Sequence, residues 1–163
     1  MKLVVMGVSG CGKSSLGSAL AEALAMPFFE GDALHPPANV EKMRSGIPLG
    51  DDDRWPWLDR VAASLADRGS AVVSCSALRR SYRDHIRARA GGAVGFIHLA
   101  GSRDLLAERM QARPGHYMPV SLLDSQLATL EPPGMDEALT IDIALPPGLM
   151  LVAALDYVKG RMP

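Results

Sequence analysis

The sequence predicts an α/β fold: a parallel sheet of five strands with helices on both faces. Two observations predict it. Short apolar runs alternate with segments of helical period along the whole chain, which is the pattern of successive βαβ units. The first apolar run, Lys2–Met6, leads straight into a glycine-rich loop and then a helix. That run is apolar on both faces, as a strand covered from both sides must be.

The elements follow in order. Lys13–Ala25 is a helix, because Leu16, Ala19, Leu20, Ala23 and Leu24 fall on one face. Pro27–Phe29 is a short second strand that ends in Glu30-Gly31-Asp32. A short helix covers 36–44, with Pro36 or Pro37 near its first turn. Ser45–Arg54 reads as a loop, on Gly46, Pro48, Gly50 and three aspartates. Trp57–Arg68 is helical, with Leu58, Val61, Ala62 and Leu65 on one face and Gly69 ending it. Ala71–Cys75 is the third strand, Arg79–Ala90 a basic helix and Val94–Leu99 the fourth strand. Ser102–Arg113 and Val120–Glu131 are two helices joined by Pro114-Gly115-His116. Leu139–Ala144 is the fifth strand and Leu149–Gly160 the closing helix.

Composition narrows the function. At 163 residues, 48% of them hydrophobic, the chain suits one domain with one core. A net charge of −1 leaves no extended basic footprint for nucleic acid. With 5% aromatic residues, a base-stacking platform is not expected either. No apolar stretch reaches the ~18 residues that span a bilayer, and Leu3–Met6 is too short for a leader core. A soluble, cytoplasmic protein is expected, with no membrane and no nucleic-acid partner. Cys11 and Cys75 are then free thiols.

Gly7-Val8-Ser9-Gly10-Cys11-Gly12-Lys13-Ser14 matches G-x-x-x-x-G-K-[ST] without a gap, between a strand and a helix. Glycines let the backbone curl so that its N–H groups point inward at phosphate oxygens. The helix start adds a positive dipole end. Lys13 would reach the β- and γ-phosphates of ATP, Ser14 would ligate Mg²⁺, and Ser15 closes the nucleotide-binding run. The motif indicates nucleotide binding but does not name the reaction, since hydrolases and kinases share it.

An acceptor would bind at the carboxyl ends of the strands. Three segments reach there: Gly31-Asp32-Ala33-Leu34-His35-Pro36, Asp51-Asp52-Asp53-Arg54, and Cys75-Ser76-Ala77-Leu78-Arg79-Arg80-Ser81-Tyr82-Arg83-Asp84. At least two of the three aspartates read as a solvated turn. Asp32 follows a strand and could accept a proton from an attacking hydroxyl or hold Mg²⁺ through water.

These segments, with Asn39-Val40-Glu41-Lys42-Met43, Trp57-Leu58, Arg109, Arg113, Gly115-His116 and Ser125-Gln126, together resemble the gluconate kinase family over nearly the whole chain. The resemblance implies ATP-dependent phosphorylation of D-gluconate to 6-phosphogluconate, within sugar-acid catabolism. It implies a P-loop kinase fold similar to shikimate kinase and nucleoside monophosphate kinases, with strand order 2-3-1-4-5. It also implies ATP and Mg²⁺ as cofactors, and a homodimer. One domain over 1–163 is expected, with a substrate-binding insertion at about 32–68 and a lid at about 109–125. Three departures stand out: Ser15 and Gly50 replace other frequent residues, and Pro114 replaces a usual lysine, which removes one cation from the lid.

The residue chemistry agrees with a sugar acid. Arginine pairs with a carboxylate through two parallel hydrogen bonds, and Arg54, Arg79 and Arg83 are candidates. Arg79 and Arg83, four apart, share a helical face. His35 and Lys42 could bond hydroxyls. Arg109 and Arg113 are also four apart, and a mobile arginine can stabilise charge building on a γ-phosphate while closure expels water. His116 and Tyr117 could touch substrate or solvent. The implied strand order brings Cys11 and Cys75 to one edge, which raises oxidation of Cys11 as a block to ATP. Asp142–Pro147 is a candidate adenine contact. Two other readings stay open: another small-molecule kinase of the same fold, and a non-enzymatic nucleotide switch. The 31–58 region argues against the first, and arginines converging from two segments argue against the second.

Overall fold

The computed structural model describes residues 1–113 and 119–162. Five strands form one parallel sheet: β1 (Lys2–Met6), β2 (Phe28–Glu30), β3 (Ala71–Ser74), β4 (Val94–Ala100) and β5 (Ala138–Asp142). Their order is β2-β3-β1-β4-β5, as expected. Val4 lies opposite Val73 on one side and Phe96 on the other, so β1 is central and the carboxyl ends align at one edge. Every residue of β1 and β3 is buried, which explains why these strands read as continuous apolar runs.

The helices are α1 (Lys13–Ala23), α2 (Pro37–Arg44), α3 (Asp51–Ala66), α4 (Arg80–Arg89), α5 (Arg103–Gln111), α6 (Ser121–Thr129) and α7 (Pro147–Lys159). A single 3-10 turn, Gly31–Leu34, follows β2. Helices α1 and α7 pack together against the sheet, as do α3 and α4. No described helix is long and apolar enough to cross a membrane. Pro114, Gly115, His116 and Tyr117, expected at the middle of the lid, lie outside the described residues.

Helix α3 begins at Asp51, six residues before the expected Trp57. The three aspartates occupy its first turn, where negative charge meets the positive helix end. Asp53 Oδ2 also accepts from the Gly50 N–H at 2.9 Å. Pro56 sits in the second turn on the exposed side, where its missing N–H costs one helical bond and buries nothing unpaired. The earlier start matters for the site. It puts Arg54 on the same inward face as Trp57, Leu58, Val61 and Leu65, all buried.

A close backbone crossing fixes the end of β2. A Cβ on Gly31 would lie 1.9 Å from the Ser74 carbonyl oxygen, so only hydrogen fits there. The Gly31 N–H donates to Ser74 Oγ at 3.1 Å, and Trp57 Nε1 donates to the Gly31 carbonyl at 2.8 Å.

Arg83 corrects an expectation. It is only 1% exposed and all five of its N–H donors are used. Nε and Nη2 donate to Glu137 at 2.6 and 3.2 Å, Nη1 to the carbonyls of Ala77 and Leu78 at 2.8 and 3.1 Å, and Nη2 also to the Glu131 carbonyl at 3.0 Å. No donor is left for a substrate carboxylate. Arg83 instead ties the chain after β3 to the chain before β5. It holds Ala77, whose φ of 45° lies in the left-handed region that non-glycine residues avoid. Burial works to raise the Glu137 pKa, but the bonds and charges of Arg83 and Arg87 outweigh it and hold the carboxyl below its ordinary value.

Breaking this pair leaves a buried charge unmatched, a loss of about 3–5 kcal/mol. Arg83→Met should lower the urea-unfolding free energy at pH 7 by that amount, and adding Glu137→Leu should restore most of it. A carboxyl held low in the folded state contributes stability above its unfolded pKa and loses it as pH falls. The deficit of Arg83→Met should therefore shrink on acidification. A deficit under 1 kcal/mol at pH 7 would show that the pair is dispensable.

Candidate active site

Three segments leave the carboxyl edge of the sheet side by side. β1 runs into Gly7–Ser14, β2 into the 3-10 turn with Asp32, and β3 into Cys75–Arg79. Gly7 N–H donates to the Ser76 carbonyl at 3.3 Å, which joins the first segment to the third.

The loop fits a phosphate. Gly12 caps α1 with no side chain closing that end. The N–H groups of Lys13, Ser14 and Ser15 lie in the first turn, so they have no intrahelical acceptor and face outward as an anion site. Gly10 has a φ of 83°, and a Cβ there would meet the Leu106 carbonyl and the Met110 side chain of α5 at 2.8 Å. The loop is therefore curled tightly beneath α5. Lys13 Nζ donates to the Val8 carbonyl at 3.1 Å. Ser9 N–H donates to Gln126 Oε1 at 2.7 Å, which ties α6 to the loop.

Beside the loop is one pocket. Its polar lining includes Lys13, Asp32, His35, Arg54 and Ser76; its apolar walls include Met43, Leu49, Trp57, Leu78 and Leu122. A few convergent polar groups on apolar walls are the usual form of a small-molecule site. The cavity measures about 40 Å³ and is lined also by Ile47, Pro48 and Gln126.

Arg54 and His35 are the best-built polar groups of the pocket. Arg54 is 9% exposed, and its Nη1 donates to the Tyr82 hydroxyl at 3.0 Å. Its guanidinium also lies 5.2 Å from the Tyr82 ring centroid. Tyr82 in turn donates to Asp51 Oδ1 at 2.5 Å, and burial with that bond pushes the phenol pKa up. Nε and Nη2 of Arg54 have no acceptor among the described residues. His35 is buried and stacks on Trp57, with ring centroids 4.0 Å apart and planes 16° from parallel. Burial and the Arg54 charge lower its pKa to about 4, against the opposing pull of Asp32, so the ring is neutral at pH 7.

Other expected ligands stand elsewhere. Lys42 is turned away from the pocket, with Nζ bound to both carboxylate oxygens of Asp53 at 2.9 Å. It neutralises the acidic start of α3. Arg79 caps α4 in an extended conformation, so it does not share a helical face with Arg83. Its side chain is half exposed, 3.9 Å from Asp51, and is not part of the pocket lining. Of the aspartates, Asp51 and Asp53 carry these structural contacts and Asp52 is exposed. Arg109 is half-buried, donates to the Ile143 carbonyl at 2.8 Å, and lies close enough to the loop for its charge to act on Cys11. Arg113 is exposed past the end of α5.

A family model described as an AAA domain matches residues 3–133. The gluconokinase of Gluconobacter oxydans is 54% identical over 139 residues, which is 83% of this chain and 78% of the relative. The chain belongs to the gluconokinase family. The thermoresistant gluconokinase of Escherichia coli is 42% identical, over 96% of this chain and 92% of its own. The crystal structure of a gluconokinase from Sinorhizobium meliloti superimposes with a TM-score of 0.87 at 56% identity, covering 95% of this chain and 89% of that one. Shikimate kinase from Aquifex aeolicus shares the fold alone, with a TM-score of 0.63 at 17% identity over 99% and 98% of the two chains.

Within this gluconokinase-family site, sequence reasoning missed Asn39, Trp57 and Tyr82 as supports. Each is buried and touches a pocket residue, Asn39 and Tyr82 from outside the lining and Trp57 as part of it. Their resemblance to family motifs was visible, but nothing in the sequence told support from contact. The thiols also differ from one expectation. Cys11 and Cys75 are free, and both are fully buried. Burial raises both pKa values, that of Cys75 to about 12, so neither is a reactive thiolate. Oxidation of Cys11 is therefore not a ready switch. An aromatic disulfide reagent at pH 8 should find no thiol in the native protein and both after denaturation. Rapid native labelling of Cys11 would contradict this burial.

Proposed function

We propose that the chain transfers the γ-phosphoryl group of ATP to D-gluconate, giving 6-phospho-D-gluconate and ADP. The observation that carries this reading is that Lys13 of the phosphate loop and the polar set Asp32, His35 and Arg54 line one pocket. Donor and acceptor would meet there. Arg54 would take the substrate carboxylate through its unengaged Nε and Nη2, a bidentate arrangement suited to a planar acid. His35 would bond a hydroxyl along the sugar chain. Asp32 would accept the proton of the attacking hydroxyl as its oxygen bonds to phosphorus and the bond to ADP breaks. Lys13 and the first-turn N–H groups from Gly12 to Ser15 would hold the phosphates, with Gly7, Val8, Ser9, Gly10 and Cys11 forming the cradle. Arg109 and Arg113 would answer the charge that builds during transfer. Lid residue His116 belongs to the same reading, from outside the described residues.

The donor set suits Mg²⁺. Ser14 offers a hydroxyl and Asp32 a carboxylate through water, and Mg²⁺ keeps most of its waters when bound to substrate phosphates. Bound there, Mg²⁺ would neutralise phosphate charge. The reading includes an acceptor-binding segment at about 32–68 and a lid at about 109–125 within a single domain. It also includes a cytoplasmic homodimer, for which the exposed apolar residues Leu149 and Val152 of α7 offer a surface.

A coupled ADP-release assay with gluconate, shikimate and AMP tests the reading. Turnover with gluconate alone is expected; turnover with shikimate or AMP and none with gluconate would overturn it. Lys13→Ala should abolish transfer. Asp32→Asn should lower kcat by about 10²–10⁴-fold, the range of a general base, with the KM for ATP little changed. A normal kcat would remove Asp32 from the chemistry.

A further inference from the structure

We infer that Asn39 is a positioning residue that holds His35 with its ring proton on Nε2, so that the pocket meets a hydrogen-bond donor and never a base. The inference rests on the proposed acceptor site.

Hydrogen-bond polarity fixes the tautomer. Asn39, on α2, is 3% exposed. Its Nδ2 lies 2.8 Å from the carbonyl oxygen of Asp53 and 3.2 Å from Nδ1 of His35. A carbonyl can only accept. The amide nitrogen must therefore face Asp53, since the flipped amide would set two oxygens against each other. An amide nitrogen has two hydrogens. One goes to Asp53 and the other points at His35 Nδ1, which must then accept with a lone pair. A neutral imidazole carries one N–H, and here it falls on Nε2. An imidazolium would need a second proton on Nδ1, directly against the Asn39 hydrogen.

The surroundings hold this state. Trp57 fixes the ring plane by stacking, and Trp57 is itself anchored to the Gly31 carbonyl. The charged groups that act on the ring are Asp32 from the 3-10 turn and Arg54 from α3; burial, with Arg54, outweighs the pull of Asp32. The carbonyl that orients Asn39 belongs to Asp53, the residue before Arg54. One short hydrogen-bonded link therefore sets the donor of His35 and the guanidinium of Arg54 in a common frame. His35 then recognises an oxygen lone pair of the sugar acid. It cannot take the proton of the attacking hydroxyl, which leaves that role to Asp32.

The test combines nitrogen NMR with kinetics. Long-range ¹H–¹⁵N spectra of histidine-labelled protein at pH 7 should show His35 protonated at Nε2 and bare at Nδ1. In Asn39→Ala the Nδ1–H form should become populated. The KM for gluconate should rise by about fivefold or more, the scale of one mismatched hydrogen bond, while the KM for ATP stays within about twofold. A wild-type proton on Nδ1 would overturn the inference, whether or not Asn39→Ala folds. So would an Asn39→Ala protein that keeps both the wild-type spectrum and the wild-type gluconate KM. A wild-type ring protonated at Nε2 in a chain that does not phosphorylate gluconate would support the tautomer and sink the acceptor reading instead.

Discussion

At Gly31 the end of β2 presses against the carbonyl of Ser74 at the end of β3, and no side chain fits between them. Much of the acceptor side depends on this crossing. It sets the height at which the chain leaves β2, and hence where Asp32 and His35 stand above the sheet. The same residue gives its carbonyl to Trp57, which brings α3 down onto the strand ends. Trp57 then stacks on His35, and the turn before it carries Arg54. Any larger residue at position 31 would press β2 away from β3 and shift Asp32 and His35 relative to the phosphate loop.

The pocket residues are rigid because buried neighbours hold them from behind. Tyr82 supports Arg54 by a hydrogen bond and by its ring face. Asn39 supports His35. Arg83 braces the strained backbone at Ala77 beside the pocket-lining Ser76 and Leu78. Such polar groups are costly to bury unless their partners are complete. Here each has protein partners, while Arg54 keeps donors in reserve. Reserve donors on a braced side chain are what a binding site needs, since little order must be gained when the ligand arrives. The phosphate loop reaches the same end differently. Its donors are backbone N–H groups held by the helix and by close contact with α5.

The fold was legible because the signals were strong and local. Buried parallel strands such as Ala71–Ser74 leave apolar runs that read plainly, and the glycine loop marks where the first of them ends. The start of α3 was not legible in the same way. Three aspartates and Pro56 look like a loop, yet acidic residues favour a first helical turn and a proline near it costs little when exposed. Reading Asp51–Asp53 as helix-start residues would have placed Arg54 inward. Arg79 and Arg83 show the other limit. Spacing put them on one face, but only the fold shows Glu137, fifty-four residues away, claiming Arg83. Lys42 was drawn off by Asp53 in the same way. A cation in a sequence carries no label telling substrate from structural partner, because that depends on which acceptor the tertiary fold brings near.

The central claim is that Arg54 reads the carboxylate of the acceptor while Asp32 faces its reacting hydroxyl. A crystal structure with gluconate and a non-hydrolysable ATP analogue tests it most directly. The account predicts the carboxylate on Nε and Nη2 of Arg54, the analogue's phosphates on the N–H groups after Gly12, and a terminal hydroxyl between Asp32 and the γ-phosphate. A carboxylate bound away from Arg54, or gluconate outside the pocket of Lys13, Asp32 and His35, would contradict it.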